Sequence, residues 1–354
     1  ENGDGRADVR KVLQTGYAVR FGFLGHDLHG LRIGPDGKLY FSIGDRGFSV
    51  KQGDRTIAFP EGGAVLRCNL DGSDLELFSY GLRNPQELVF DDYGNLWTGE
   101  NNSDGGDQAR WAYLVEGGDS GWRIGYQFIT HPNPRGPWNS EKMWHPANDD
   151  QPAYIVPPIA NFGNGPAGLT YNPGVGLPEE YDRHFFLCDF KGNSARSLIH
   201  TFTVQPKGAS FELVNRRDFM TGILCTDVEF GPDGGLYVSD WTEGWSKPGK
   251  GRIYRVSHPE AQKDPLVEET RKILHDGFEK RSLSELARLL GHRDRRVRQE
   301  AQFELAARGS KSIRTLVKAA EKNSNQLARI HAIWGLGQIG ASKSESTRTR
   351  NAAL

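Results

Sequence analysis

Two nearby histidines, an arginine–asparagine pair stiffened by proline, and carboxylates set among glycines are the residues of this chain with the widest chemical reach. His26 and His29 lie in GHDLHGLRIGPDG. An imidazole with its ordinary pKa near 6.5 can act as a general base; a hydrogen-bonded structural histidine is the equally open alternative. In GLRNPQELVF (81–90), Arg83 and Asn84 precede Pro85. A guanidinium fork held rigid there suits a carboxylate or quinone oxygen, and a loop salt bridge fits the same residues. In GENNSDGGDQ (99–108), Glu100, Asp104 and Asp107 stand among small residues whose carbonyls can turn inward. Carboxylate and carbonyl oxygens together are what Ca²⁺ takes, although the spacing is not that of an EF-hand. A further Asp-rich stretch, NGDGRAD (2–8), lacks the upstream ligands of a calcium loop and reads as a turn.

The elements that must position these groups announce themselves by repetition. GPDGKLYFSIGD (34–45), DDYGNLWTGE (91–100) and GPDGGLYVSDW (231–241) are three copies of one phrase. Each is a tight turn followed by an alternating strand that ends in or near a carboxylate. Repeated hairpins of this kind predict radially stacked four-stranded blades, a β-propeller with a polar centre. AVLRCNL (64–70), HFFLCDF (184–190), SLIHTFTV (197–204) and RIYRVS (252–257) read as further strands, and 101–158 reads as one long functional loop. After His258-Pro259 the period becomes helical. RQEAQFELAARG (298–309) and RIHAIWGLGQIG (329–340) align at an offset of 31 and resemble HEAT repeats. The basic run His292–Arg298, which leads into the first of these segments, reads as a solvated structural turn rather than an anion site. The expected division is a propeller over 1–258, a linker helix over 259–279, HEAT-like repeats over 280–342 and a disordered tail over 343–354.

Composition narrows the classes. A formal net charge of −1 argues against non-specific nucleic-acid or membrane-surface binding. No apolar run approaches the ~18 residues of a membrane span. Glycine, 44 of 354 residues, exceeds the usual share of about 7% and suits a fold of many tight turns. Cys68, Cys188 and Cys225 lie singly in apolar runs and read as buried thiols, with one disulfide possible. The chain opens on Glu1 in mid-pattern, which makes a fragment with an N-terminally incomplete propeller the expectation.

The motifs also occur in a telling order. His26 lies eight residues before the Gly34 that opens the first repeat; GLRNPQ, GE-x-x-x-x-GGD and GDSGWRIGY (118–126) follow. Over about residues 20–256 this set resembles the soluble glucose/sorbosone dehydrogenases, six-bladed propellers that bind pyrroloquinoline quinone (PQQ) through Ca²⁺. The resemblance implies His26 as the base that takes a sugar hydroxyl proton while hydride passes to the quinone. It implies Arg83 as a second catalytic residue, stabilising negative charge that develops on cofactor or substrate oxygens, and Arg83, Lys191 (of DFKGNSARSL) and Asn101 as cofactor contacts. Ca²⁺ would sit on the carbonyls of Asn102 and Ser103, in a loop organised by Glu100 and Asp107. Two arginines usual in that family are replaced here by Leu224 and Thr226, and Asn102-Ser103 replaces a Gly-Pro.

HDLHGL, GLRNPQ and SDWTEGW ahead of GKGRIYRV are similar, more narrowly, to proteins labelled membrane-bound dehydrogenases of planctomycetes and verrucomicrobia. Those join a propeller and HEAT repeats to a haem-binding cytochrome c domain. The implied setting is periplasmic or secreted, the implied substrate a sugar or related alcohol, and the implied electron acceptor a cytochrome c haem. Two other readings stay open: a non-catalytic propeller that binds glycan or protein, its docking surface extended by the HEAT units, and a Ca²⁺-dependent lactonase.

Overall fold

The computed structural model describes residues 2, 4–23, 25–126, 136–144, 148, 155–246 and 248–341. The tail expected over 343–354 lies outside them. The rest folds into four antiparallel sheets and a block of helices. The first blade is β1 (Leu28–Ile33), β2 (Leu39–Ile43), β5 (Gly63–Cys68) and β6 (Glu76–Leu82), with a side hairpin of β3 (Phe48–Gln52) and β4 (Arg55–Phe59). The second is β7 (Val89–Phe90), β8 (Leu96–Glu100), β9 (Arg110–Leu114) and β10 (Ala160–Asn161), with the short helix α1 (Gly136–Ser140) between its last two strands. The third is β11 (Pro166–Tyr171), β12 (Phe185–Asp189), β13 (Leu198–Lys207) and β14 (Ser210–Thr221). The fourth has three strands, β15 (Cys225–Phe230), β16 (Leu236–Asp240) and β17 (Arg252–Val256). The stretch 101–158 is therefore not one loop, because β9 and α1 interrupt it.

Each copy of the repeated phrase is the turn between a blade's first and second strands. Gly37, Gly94 and Gly234 occupy equivalent positions there, with φ of +79°, +78° and +72°. The preceding aspartates lock the turns: Asp36, Asp91 and Asp233 accept backbone amides of residues two onward, at 3.1, 2.9 and 3.1 Å. Neighbouring blades share apolar clusters. Tyr40 and Phe90 join the first to the second, Trp97 and Trp111 meet Phe185 and Phe202 of the third, and Phe186 and Cys188 meet Cys225 and Val228 of the fourth. All three cysteines are buried and free. No such cluster among the described residues joins the fourth blade to the first.

Five helices follow: α2 (Pro265–Asp276), α3 (Leu283–Leu289), α4 (Arg295–Ala307), α5 (Ile313–Lys322) and α6 (Gln326–Ala341). Asp264 and Asp294 cap α2 and α4, and Ser282 with Glu285 forms a capping box on α3. The residues matched by the 31-residue offset meet in one core, where Ala301, Leu305, Ala332 and Leu336 are buried with Leu286, Leu290 and Leu316. No helix among the described residues is long and apolar enough to cross a membrane.

The basic run His292–Arg298 is structural but not solvated: it is the seam between helices and blades. Two turns of α4 reach all four inner-strand turns. The Arg295 amide donates to Pro173 O at 2.8 Å, and Arg296 Nη1 donates to Phe230 O at 2.8 Å and Gly231 O at 3.0 Å. Arg298 pairs with Asp92, while Gln299 and Gln302 donate to Ile33 O at 3.3 Å and Pro35 O at 2.6 Å. A Cβ on Gly37 would lie 2.3 Å from Gln338, and one on Gly94 would lie 2.7 Å from Trp334, so both glycines serve the contact as well as the turn.

Arg298 is 2% exposed and satisfies its guanidinium on Asp92, on the carbonyls of His292 and Arg293, and on His331 Nε2 at 3.3 Å. Burial, reinforced by Arg298 and Arg295, pushes His331 down to about 3. It is thus neutral, able to donate from Nδ1 to Gln302 Oε1 at 2.7 Å and to accept at Nε2.

Removing one partner of a buried ion pair strands the other charge. Asp92→Ala should cost about 3 kcal/mol in urea unfolding, with much of it recovered in Asp92→Ala/Arg298→Met. His331 binds its proton near 6.5 when unfolded and near 3 when folded, so stability present above pH 6.5 is lost as pH falls from there. His331→Gln should flatten that acid slope in thermal melts between pH 6.5 and 4.

Candidate functional site

The helices hold the turns between first and second strands. The opposite strand ends surround a cavity of about 1300 Å³, lined by residues of all four blades. Its walls are residues before or at the start of inner strands (His26, Asn84, Gln86, Pro166, Thr226) and just after second strands (Asn101, Asn102, Lys191, Trp241).

Each second strand ends on or just before a buried carboxylate, and three of the four, Asp45, Glu100 and Asp189, hold residues at this wall. Asp45 is fully buried; its Oδ1 lies 2.7 Å from His26 Nδ1 and its Oδ2 accepts Trp122 Nε1 at 3.1 Å. An ionised carboxylate only accepts, so Nδ1 carries the hydrogen and Nε2 is the nitrogen left to the cavity. Glu100, also fully buried, accepts the amides of Arg83 and Asn84 on one oxygen and Arg110 Nε at 2.6 Å on the other. Asp189 takes the amides of Asn164 and Gly165 at 2.9 and 3.0 Å, His200 Nε2 at 3.2 Å and Lys191 Nζ at 3.0 Å. Burial alone would raise its carboxyl, but these hydrogen bonds outweigh burial and hold it well below the usual range. Asp240 faces Arg252 at 3.6 Å.

The residues singled out in the sequence separate into wall and backing. His26, Asn101, Asn102, Asp107 and Lys191 line the cavity. Arg83 stands behind it, 1% exposed, with its guanidinium on Asn102 O and Asp104 Oδ2, both at 2.6 Å, and between the rings of Phe23 and Trp122. Glu100 is likewise backing. Ser103 is buried; its amide and hydroxyl donate to Asp107 Oδ1 at 2.9 and 2.7 Å. Of the two replaced arginine positions, Thr226 lines the cavity with its hydroxyl on Ser239 at 2.8 Å, whereas Leu224 is buried in the fourth blade.

Several residues of the wall and its backing were not singled out. Asp45 closes the first repeated phrase, and its equivalence to Glu100 in the second was the available signal. Asn84, singled out together with Arg83, lines the cavity, and its buried Oδ1 has no hydrogen-bond partner among the described residues. Arg196 adds a second cation next to Lys191, with its guanidinium on Lys191 O at 3.2 Å. An aromatic wall completes the rim: Phe190 stacks on Trp241 at 6.0 Å and 20°, and Trp245 meets Trp241 edge-on at 4.9 Å. No motif signals that residues 190, 241 and 245 converge from two blades.

Beneath the cavity the inner strands meet at an ionic knot. Arg32 Nη1 pairs with Glu229 at 2.7 Å and its Nε with Glu87 at 3.4 Å, while Nε also donates to Leu88 O at 2.9 Å. Burial raises Glu87 to about 7; Arg32 opposes this, and Asp227 and Glu229 add to it.

Residues 1–245 match the profile of a family described as a domain of unknown function, DUF7133. The chain belongs to the DUF7133 family. Residues 283–348 match the HEAT repeats. A stretch of 124 residues is 33% identical to quinoprotein glucose dehydrogenase B of Acinetobacter calcoaceticus, and covers 27% of this chain and 26% of that protein. This DUF7133 chain thus spans about a quarter of the length of the curated relative that it matches. Among solved structures, a glucose dehydrogenase superposes with a TM-score of 0.52 at 18% identity, over 73% of this chain and 71% of that one. The PQQ-bound aldose sugar dehydrogenase of Streptomyces coelicolor gives 0.42 at 21% identity, over 65% and 62%. The superposition at 0.52 shows a shared propeller-like fold for the DUF7133 region.

Glu87 keeps its proton to about pH 7 in the folded DUF7133 chain and to about 4.5 when unfolded. Stability present below pH 4.5 is therefore lost as pH rises through 7, by roughly 3 kcal/mol at most. Glu87→Gln should remove that loss and raise the melting temperature at pH 8 more than at pH 5.

Proposed function

We propose that this chain is the catalytic module of an oxidoreductase that oxidises a sugar or related alcohol with a PQQ-type quinone. The observation that carries the reading is the 2.7 Å contact of His26 Nδ1 with buried Asp45, which leaves Nε2 as a base facing a cavity of about 1300 Å³. The partial identity to a quinoprotein glucose dehydrogenase supports it.

The wall suits a planar, anionic quinone. Lys191 and Arg196 offer positive charge, Phe190, Trp241 and Trp245 offer ring faces, and Asn84 Oδ1 is a buried acceptor with no donor among the described residues. PQQ would supply a two-electron acceptor. His26 Nε2 takes the proton of the substrate hydroxyl, and Asp45 stabilises the imidazolium that forms. Lys191 offsets negative charge developing on neighbouring oxygens. Arg83 acts as a positioning residue, because its guanidinium fixes the Asn102–Asp104 loop.

Calcium fits less well. Asn102 O is engaged by Arg83, Asp107 by Ser103 and Glu100 by Arg110. No group of three or more His, Cys, Asp or Glu side chains among the described residues is arranged to hold a metal ion. No step of this reading uses a metal. A cytochrome c haem as onward acceptor and a periplasmic or secreted setting complete the proposal.

The test is dye reduction after incubation with PQQ, with and without Ca²⁺, across a panel of aldoses. His26→Ala should lower kcat by about 10²–10⁴-fold, and Asp45→Asn should lower it as well, since an amide no longer favours the required tautomer. Turnover unchanged in His26→Ala would remove the base from the mechanism.

A further inference from the structure

The helical array has a second face, which the blades do not use. The polar contacts to the blades come from the start of α4 and the segment before it, and α6 covers two turn glycines; α3 and α5 face away. Between α3 and α5 runs a groove of about 640 Å³. Its apolar lining is Leu283, Ala287 and Ala319, and its charged lining is Arg288, Arg314, Lys318 and Lys322, with no carboxylate. Several other cations of the array, Arg271, Arg296, Arg298 and Arg308, each hold an acid partner. The four in the groove make no ion pair among the described residues.

Their spacing is informative. Arg314, Lys318 and Lys322 are four residues apart on α5, so they form one row of about 12 Å along the helix. A partner helix carries acids at the same interval when they recur every fourth residue, and its adjacent apolar row then meets the groove's lining. The geometry points to this groove as a docking site for an acidic amphipathic helix of a partner protein, with Glu or Asp at i, i+4 and i+8. An anionic membrane would satisfy the charges but not the narrow apolar strip between two helices. This inference is independent of the proposed oxidoreductase chemistry, because the groove and the cavity lie on opposite sides of the molecule.

The probe is a fluorescein-labelled helical peptide with Glu at every fourth position beside a row of Leu, and a counterpart with Lys in place of each Glu. Fluorescence anisotropy on the full chain should show binding of the Glu peptide that weakens with salt. Lys318→Glu/Lys322→Glu should weaken it at least about tenfold and gain binding to the Lys peptide. Lys263→Glu/Lys272→Glu, the same charge change on and beside α2, should leave both peptides unaffected. Equal loss in the two double variants, or no binding of the Glu peptide, would overturn the proposal. Binding of phosphatidylglycerol vesicles without binding of the peptide would also overturn it and assign the face to a membrane.

Discussion

Buried carboxylates at the ends of the second strands are the constraint around which the cavity is organised. A carboxylate inside a protein is tolerated only when its oxygens are filled with donors. Asp45, Glu100 and Asp189 meet that demand by recruiting backbone amides, an indole, imidazoles, an arginine and a lysine from adjoining segments. The loops at the cavity are thereby fixed by groups that belong to the blades. The base candidate His26, the backing Arg83 and the cation Lys191 are all held directly or at one remove by such a carboxylate. Neutralising one of them would release a segment of wall as well as a single hydrogen bond.

The helical array solves a different problem. A fan of four sheets in which only neighbours share apolar clusters has little to define the angle between its outermost members. α4 supplies that definition by touching a turn from every blade within the span Arg295–Gln302. The contacts are mostly arginine and glutamine donors to exposed turn carbonyls, which tight turns leave free by their geometry.

Much of the fold was legible because it rests on local signals. Glycine turns (Asp-Gly twice, Tyr-Gly once) with alternating strands located three of the four inner hairpins, and the change of period after His258 located the helices. The hairpin β3–β4 and the long strand β14 escaped, since their sequences are polar and half exposed. The site was legible in part. His26, Lys191 and the 99–108 segment carry motif signals, and all three contribute to the cavity wall. Asp45 was hidden in plain view at the end of a repeat, because only the fold shows which side chain it meets 19 residues earlier. The basic run 292–298 misled because surface composition and seam composition are alike; what separates them is Asp92, 206 residues from Arg298.

The placement of α4 divides the molecule into a face that can drift and one that cannot. Adding or deleting one residue within Arg295–Gln302 would rotate the following contacts by about 100° and break the match to several blades at once. The loops opposite face a lighter accounting, since each is anchored on one or two blades and none on all four. Evolutionary change in length should therefore accumulate around the cavity mouth, where new specificities arise, while the axial helix keeps its register.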